Sequence, residues 1–272
     1  MEKLKNQKSN LFLNLACGEI YIKNSNWINF DYYSKNKFVK TADLLSRFPL
    51  KNNSISVIYC SHFLEHIPLE KVNFFLSECH RVLKIGGSIR IVTPDFIEMC
   101  KSYLKYIHMD RDYSHYLITE IIDQLVRKRR GGHLGELHKK YLRDNNKKMI
   151  RFVYERNGKN LVNINEIKKI SFFFRLKNKL LRIYIYALSF FYPNSFINQN
   201  VSFADIGENH QWLWDYYQLR EQLIKCNFSF IKKMKYNKTG IKNFPFNYLD
   251  VNFDRNPKKG RESLHIEAKK IT

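Results

Sequence analysis

The stretch LFLNLACGEIYIKNSNWINFD, residues 11–31, limits what this chain can fold into more than any other part of it. An apolar run meets the small-residue turn Ala16-Cys17-Gly18, and a second short apolar run stops at the acid Asp31. A parallel sheet that binds a nucleotide-like ligand needs this order. It takes a buried strand, a turn tight enough for backbone to approach the ligand, and a carboxylate ending the next strand to hold a ribose. The turn is not a full GxGxxG, because Ala16 stands at the first glycine and Glu19-Ile20 follow Gly18. By itself the stretch also reads as an ordinary strand-turn-strand, and the rest of the chain has to decide.

Downstream periodicity favours the sheet. Strands are expected over 12–16, 27–31 and 38–41, the last closing on Asp43, and the β-branched run ISVIYC over 55–60 reads as a central strand after a loop at 47–54. Between 70 and 84 the apolar residues Val72, Phe75, Leu76, Cys79, Val82 and Leu83 recur at three- and four-residue spacing, which predicts an amphipathic helix ended by Gly86-Gly87. SIRIVT over 88–93 is then the next strand, and strand-helix-strand at this spacing is a parallel βαβ unit. Helices are expected over 96–109, 112–127 and 211–226. Strands are expected over 228–236 and 263–269, the last with Leu264, Ile266 and Ala268 inward, and two such late strands read as an antiparallel pair at the sheet edge. The fold class is therefore α/β: a doubly wound, mostly parallel sheet with an antiparallel C-terminal edge and a helical basic insertion.

The net charge of +22 enters at the insertion. A high count of Asn, 27 in all, argues for compositional drift, but drift would spread the charge evenly. Residues 1–126 hold 16 basic and 13 acidic side chains, whereas 127–182 hold 18 and 4. The middle segment is thus a basic element suited to phosphates, acidic glycans, nucleic acid or an anionic membrane surface. Its stretch over 170–192 mixes aromatics, aliphatics and cations, as packed helices, a substrate lid or a membrane-surface helix would. This divides the chain into a ligand-binding core over 1–126, a basic, aromatic insertion over 127–200, and a part over 201–272 that completes the sheet. The five cysteines form no CxxC pair, which fits reduced thiols and excludes a zinc knuckle. The polar start MEKLKNQKSN lacks the apolar core of a signal peptide, so a cytoplasmic protein is expected, with the basic segment able to hold it at the inner membrane surface.

The set LNLACG, NWINFD, ADLLSRFPL, ISVIYCSHFLEH and LSECHRVLKIGGSIRIVTPD resembles the class I S-adenosylmethionine-dependent methyltransferases. The resemblance is to the type 11-like branch associated with surface polysaccharide and lipopolysaccharide, and HQWLWDYYQLREQLIKCNF and ESLHIEAKK resemble the tail of the same proteins. It implies a Rossmann-like sheet of seven strands, the last two forming the antiparallel edge, and S-adenosyl-L-methionine as cofactor. It puts Asn14, Ala16, Cys17 and Gly18 at the methionine part of the cofactor and Asp31 at the ribose hydroxyls. Asp43 and Leu44 fall at the adenine edge, and Cys60 and Ser61 fall where the reactive methyl faces the substrate. Asn14 and Ala16 depart from the acid and glycine common at their positions.

Methyl transfer is an in-line displacement in which the enzyme aligns the partners and, for a hydroxyl, removes a proton. His62 is the first candidate for that base, since imidazole titrates near neutrality and the loop after the fourth strand reaches the active face. His133 and His210 are the others. The expected substrate is a sugar hydroxyl, or secondarily an amine, of a surface glycan or of its sugar-phosphate, nucleotide-linked or lipid-linked precursor. An RNA or small-molecule methyltransferase, or a non-catalytic nucleic-acid-binding relative, is the competing reading, with Phe172, Phe173, Phe174 and Tyr184 as stacking groups for nucleic acid. His62-Phe63-Leu64-Glu65-His66 also spells HxxEH, an inverted zinc-protease pattern. The preceding strand and Pro68 leave little room for the helix that pattern needs, so no metal is expected.

Overall fold

The computed structural model describes residues 10–158, 160–162, 179–180, 183–187, 190–202, 204 and 207–272. It divides into two compact units, Met1–Lys101 with His210–Thr272, and Ser102–Asn209. The division expected at 126 and 200 followed charge, whereas these units follow packing.

The first unit is built on a seven-stranded sheet. Its strands are β1 (Phe12–Leu15), β2 (Trp27–Asp31), β3 (Val39–Thr41), β4 (Ile55–Ser61), β5 (Leu83–Pro94), β6 (Phe228–Met234) and β7 (Ser263–Lys270). The order is β3-β2-β1-β4-β5-β7-β6. The first five strands run parallel, and β7 is antiparallel to both β5 and β6. Strand order reverses between β1 and β4, which opens a crevice at the carboxyl ends of these strands. β6 and β7 form the expected antiparallel pair at the sheet edge, with β7 between β5 and the outermost strand β6. Leu264, Ile266 and Ala268 do face the main core, yet His265 and Glu267 on the opposite face are buried as well.

Alternation along the strands separates two apolar layers. Ile58 and Cys60 of β4, with Ile89 and Ile91 of β5, pack against α1 (Leu69–Val82) through Val72, Phe75, Leu76 and Cys79, and against the helix Tyr216–Lys225 through Leu219 and Leu223. Val57, Tyr59 and Val92 face the other way, toward Ile241, Phe244 and Leu249. On that second face Arg90 is fully buried. Its guanidinium donates to Asp250 Oδ2 at 2.8 Å and Glu267 Oε1 at 2.6 Å, and Tyr59 Oη donates to Asp250 Oδ1 at 2.8 Å.

Several helix boundaries differ from the sequence expectation, that over 96–109 ending at Tyr106, and two have a clear physical reason. The helix expected to reach residue 84 stops at Val82, and β5 begins at Leu83 and runs through Gly86-Gly87. The glycines form an irregularity in the strand instead of a helix cap. Gly86 has φ +81°, and a Cβ on Gly87 would lie 2.8 Å from the Lys84 carbonyl oxygen and 3.1 Å from that of Ser56. The late helix starts at Tyr216, five residues after its expected start, with Asp215 accepting from the Gln218 amide as N-cap. The preceding backbone is committed elsewhere: Gln211 and Trp212 donate to the Glu65 carbonyl, and Trp214 bridges to Asp95.

The second unit contains α3 (Arg111–Val126), α4 (Gly132–Arg143) and α5 (Lys147–Asn157), packed around Tyr116, Leu134, Tyr141, Met149 and Val153; α2 (Phe96–Tyr106) precedes them and crosses the boundary between the units. Asp110 caps α3 and Asn146 caps α5. Two cations of the basic segment are structural, since Arg127 pairs with Asp123 and Arg156 with Glu120; Arg127 and both acids are buried and Arg156 is partly so. Most of the expected element over 170–192 lies outside the described residues, including Phe172, Phe173 and Phe174, whereas Tyr184 is exposed. Among the described residues no helix is long and apolar enough to cross a membrane.

Replacing Arg90 with Leu leaves Asp250 and Glu267 buried without their cation. Removing one partner of such a pair costs about 3–5 kcal/mol, so urea denaturation of R90L should show a loss of that size. A loss below about 1 kcal/mol, the scale of an exposed pair, would contradict the assignment.

Candidate active site

The carboxyl ends of β1, β2 and β4 bring most of the expected site residues together. After β1 the chain turns through Ala16 at φ +50° and Gly18 at φ +54°. This left-handed conformation suits glycine and strains Ala16 by about 1–2 kcal/mol. A Cβ built on Gly18 meets nothing within 4 Å, so this position faces open space and is restricted by its backbone angle alone. The Cys17 amide donates to the Phe30 carbonyl at 3.1 Å and the Gly18 amide to Asp31 Oδ2 at 2.7 Å, which pins the loop to the end of β2. Burial, with the Asp31 charge added, pushes the Cys17 thiol up to about 12, so it is no nucleophile at neutral pH.

Asn14 acts one layer below. It is buried, and its amide donates to the Ile20 carbonyl at 2.9 Å and to Asn29 Oδ1 at 3.2 Å, while Asn29 in turn holds Ile22 and Phe38. The two asparagines therefore shape the loop from beneath, and the Asn14 side chain is spent on that task. Asp31 is half-buried, with the exposed rings of Tyr32 and Tyr33 following it. Its carboxylate keeps acceptor capacity beyond the Gly18 amide, as a ribose diol would require.

The Ala42 amide donates to the Asp31 carbonyl, which sets Asp43 directly beyond β2. The Ser46 hydroxyl and then the Leu45 amide hold the Asp43 carboxyl below the usual carboxylate range. Leu44 is in the core. Cys60 is also fully buried there, and burial raises its thiol far above the ordinary value.

β4 ends at Ser61, and His62 follows at φ +51°. Its Nδ1 lies 3.1 Å from Glu65 Oε1, and its Nε2 lies 3.3 Å from Ser263 Oγ at the start of β7. Glu65 sits on the single 3-10 turn Leu64–His66 and is fully buried. Thr93 Oγ1 donates to Glu65 Oε2 at 3.2 Å. Burial works against ionisation of Glu65, but His62 and then His66 and His210 outweigh it and hold the carboxyl at about 2.

Sequence reasoning treated Glu65 only as a letter of HxxEH, and it did not single out Thr93 or Ser263. The available signal was an acid placed between the apolar residues Leu64 and Ile67. The zinc-protease geometry is not formed, because His62 precedes the 3-10 turn and does not share an α-helical turn with His66.

His210 is buried in the same unit, its ring 4.9 Å from that of His66. His133 belongs to the second unit. It is exposed at the start of α4, its amide donating to Asp123 Oδ1 and its ring 3.7 Å from Glu136.

Residues 28–91, from β2 into β5, match the family described as methyltransferase domain. No curated protein matches the sequence. Among solved structures the chain is similar to a SAM-dependent methyltransferase from Archaeoglobus fulgidus, at 13% identity over 96% of this chain and 86% of that one, with a TM-score of 0.40. It is also similar to a SAM-dependent methyltransferase from Methanosarcina mazei, at 11% identity over 98% and 95%, with a TM-score of 0.43. These likenesses are loose, and the functional weight falls on the domain match. The residues at the carboxyl edge fit the cofactor such a domain uses: a carboxylate with spare acceptors, a loop with two left-handed positions, and open space at Gly18. Within the first unit, residues 28–91 are thus similar to a methyltransferase domain, and the residues around its carboxyl edge fit S-adenosylmethionine.

Proposed function

We propose that the protein O-methylates a sugar hydroxyl of a surface glycan, or of its nucleotide- or lipid-linked precursor, with His62 as general base. The observation that carries this reading is the His62 imidazole held between Glu65 Oε1 and Ser263 Oγ at the end of β4. A carboxylate 3.1 Å from Nδ1 favours the proton on that side of the ring, which leaves Nε2 as the nitrogen that can accept one. Ser263 Oγ, at 3.3 Å, marks the position of a hydroxyl within reach of that nitrogen.

In this reading Asp31 holds the ribose, Asp43 and the backbone at Leu44 meet the adenine edge, and the loop from Ala16 to Gly18 meets the methionine end. S-adenosylmethionine supplies a methyl already activated by the sulfonium charge. The chain's residues then have two tasks: to orient the acceptor and to take its proton. The basic segment over 127–182, with exposed Lys139, Lys140 and Lys147, supports a phosphate-bearing acceptor such as a sugar-phosphate or lipid carrier. The same charge would attract an anionic inner leaflet.

Transfer of labelled methyl from S-adenosylmethionine to nucleotide sugars, a lipid-linked glycan fraction and RNA, run side by side, tests the substrate class. Label in the glycan arms is expected, and label in RNA alone would overturn the reading. His62→Asn, chosen because Asn tolerates the left-handed backbone at this position, should lower kcat by about 10²–10⁴-fold with cofactor affinity unchanged. A kcat within a factor of about three of the parent's, far short of what a lost general base costs, would remove His62 from the reaction.

A further inference from the structure

The methyltransferase reading uses His62 and the Oε1 side of Glu65, and leaves unexplained why two further histidines meet the same carboxylate. We propose that Glu65, His66 and His210 form a binding site for a divalent transition ion of the zinc class. One ligand atom from each of the three lies within 4.8 Å of the others. Glu65 is fully buried and His210 nearly so, while half-buried His66 is the member that reaches the surface.

The scaffold holds this arrangement without help from the three side chains. The Glu65 carbonyl accepts from Gln211 at 2.6 Å and Trp212 at 3.2 Å, and Trp214 Nε1 donates to the Leu64 carbonyl at 3.3 Å. These three bonds clamp the segment that follows His210 onto the 3-10 turn carrying Glu65 and His66. The histidine rings meet at 75°, edge to face. The remaining contacts of the carboxylate, His62 Nδ1 and Thr93 Oγ1, are the polar neighbours that orient a ligand carboxylate in metal sites.

The donor set also points to the ion. Two imidazoles and one carboxylate are borderline donors that take Zn²⁺, Fe²⁺ or Mn²⁺ and leave coordination positions open, unlike the all-oxygen sets of Mg²⁺ and Ca²⁺. Bonds of about 2.0–2.2 Å around such an ion place ligand atoms roughly 3.3 Å apart, so the cluster closes slightly on loading, with His66 the member least confined. Among the described residues no Lys or Arg forms an ion pair with Glu65. A divalent ion would therefore supply the counter-charge that imidazoles otherwise provide. This site is distinct from the HxxEH protease pattern, since it uses one histidine of that run and a second from a segment about 140 residues further along.

Chelator-treated full-length protein titrated with Zn²⁺ by calorimetry, and with Co²⁺ by absorption spectroscopy, tests the proposal. One ion per chain is expected, with a tetrahedral or five-coordinate Co²⁺ spectrum and a raised melting temperature. His66→Ala, at a half-exposed position that spares the core, should weaken binding at least about 10–100-fold, more than the loss of an outer-shell partner costs. His210→Asn should do the same, and exposed His108→Ala should change nothing. No stoichiometric binding of either ion, or binding that survives His66→Ala in a protein with the parent's circular dichroism, would overturn the proposal. Affinity for S-adenosylmethionine, measured on the same chelated sample, is independent of the result, so failure of the metal site leaves the methyl-transfer reading standing.

Discussion

The Glu65 carbonyl accepts from Gln211 and Trp212 while its carboxylate meets His62 and Thr93. One residue on a three-residue turn thereby joins the end of β4, the end of β5 and the segment that leads back into the sheet. An ionised carboxylate with no exposure is costly unless it is paired and hydrogen-bonded. Here the imidazoles of His62, His66 and His210 supply the compensation. Without that compensation His62 would lose the contact that fixes its ring, while the 210–214 backbone is anchored separately, on the Glu65 carbonyl. The side chain and the backbone of one residue thus serve the candidate site and the packing of the sheet respectively.

The β1 side of the crevice is organised on a different principle. The loop is shaped from below by the Asn14–Asn29 pair and pinned at its tip by the Gly18–Asp31 bond. Ala16 accepts a strained backbone angle there. A loop set by buried amides can spare the first glycine of the usual pattern, because its conformation is imposed by hydrogen bonds to β2 and to the segment through Ile22. Replacement of the expected acid by Asn14 is explained in the same way, since a buried carboxylate could not donate to the Ile20 carbonyl as the amide does.

Much of the sheet was legible from the sequence because its strands are short apolar runs with clear breaks, and the acids at 31 and 43 fall at or just past strand ends, where periodicity alone places them. What periodicity could not give was set by contacts between distant segments. The Gly86-Gly87 pair has the composition of a helix cap, and only the approach of Lys84 and Ser56 backbone makes it a strand irregularity. Gln211 to Asp215 has helical composition, but the Gln211 and Trp212 amides are spent on the Glu65 carbonyl. Glu65 itself was hidden, because its partners at 93, 210 and 211 are remote in sequence and nothing local marks an acid as a hub. Charge counting located a basic segment but could not tell that Arg127 and Arg156 are committed to buried ion pairs.

The central claim is that the crevice between Ala16, Gly18 and Asp31 is the S-adenosylmethionine site. Calorimetric titration of the parent protein and of Asp31→Ala with S-adenosylmethionine and its demethylated product tests it most directly. The account predicts one site per chain in the parent and a loss of about 2–4 kcal/mol of binding free energy in the variant, as for truncating one partner of a charged hydrogen bond. Absence of binding in the folded parent, or an Asp31→Ala variant that keeps the parent's affinity, would contradict it.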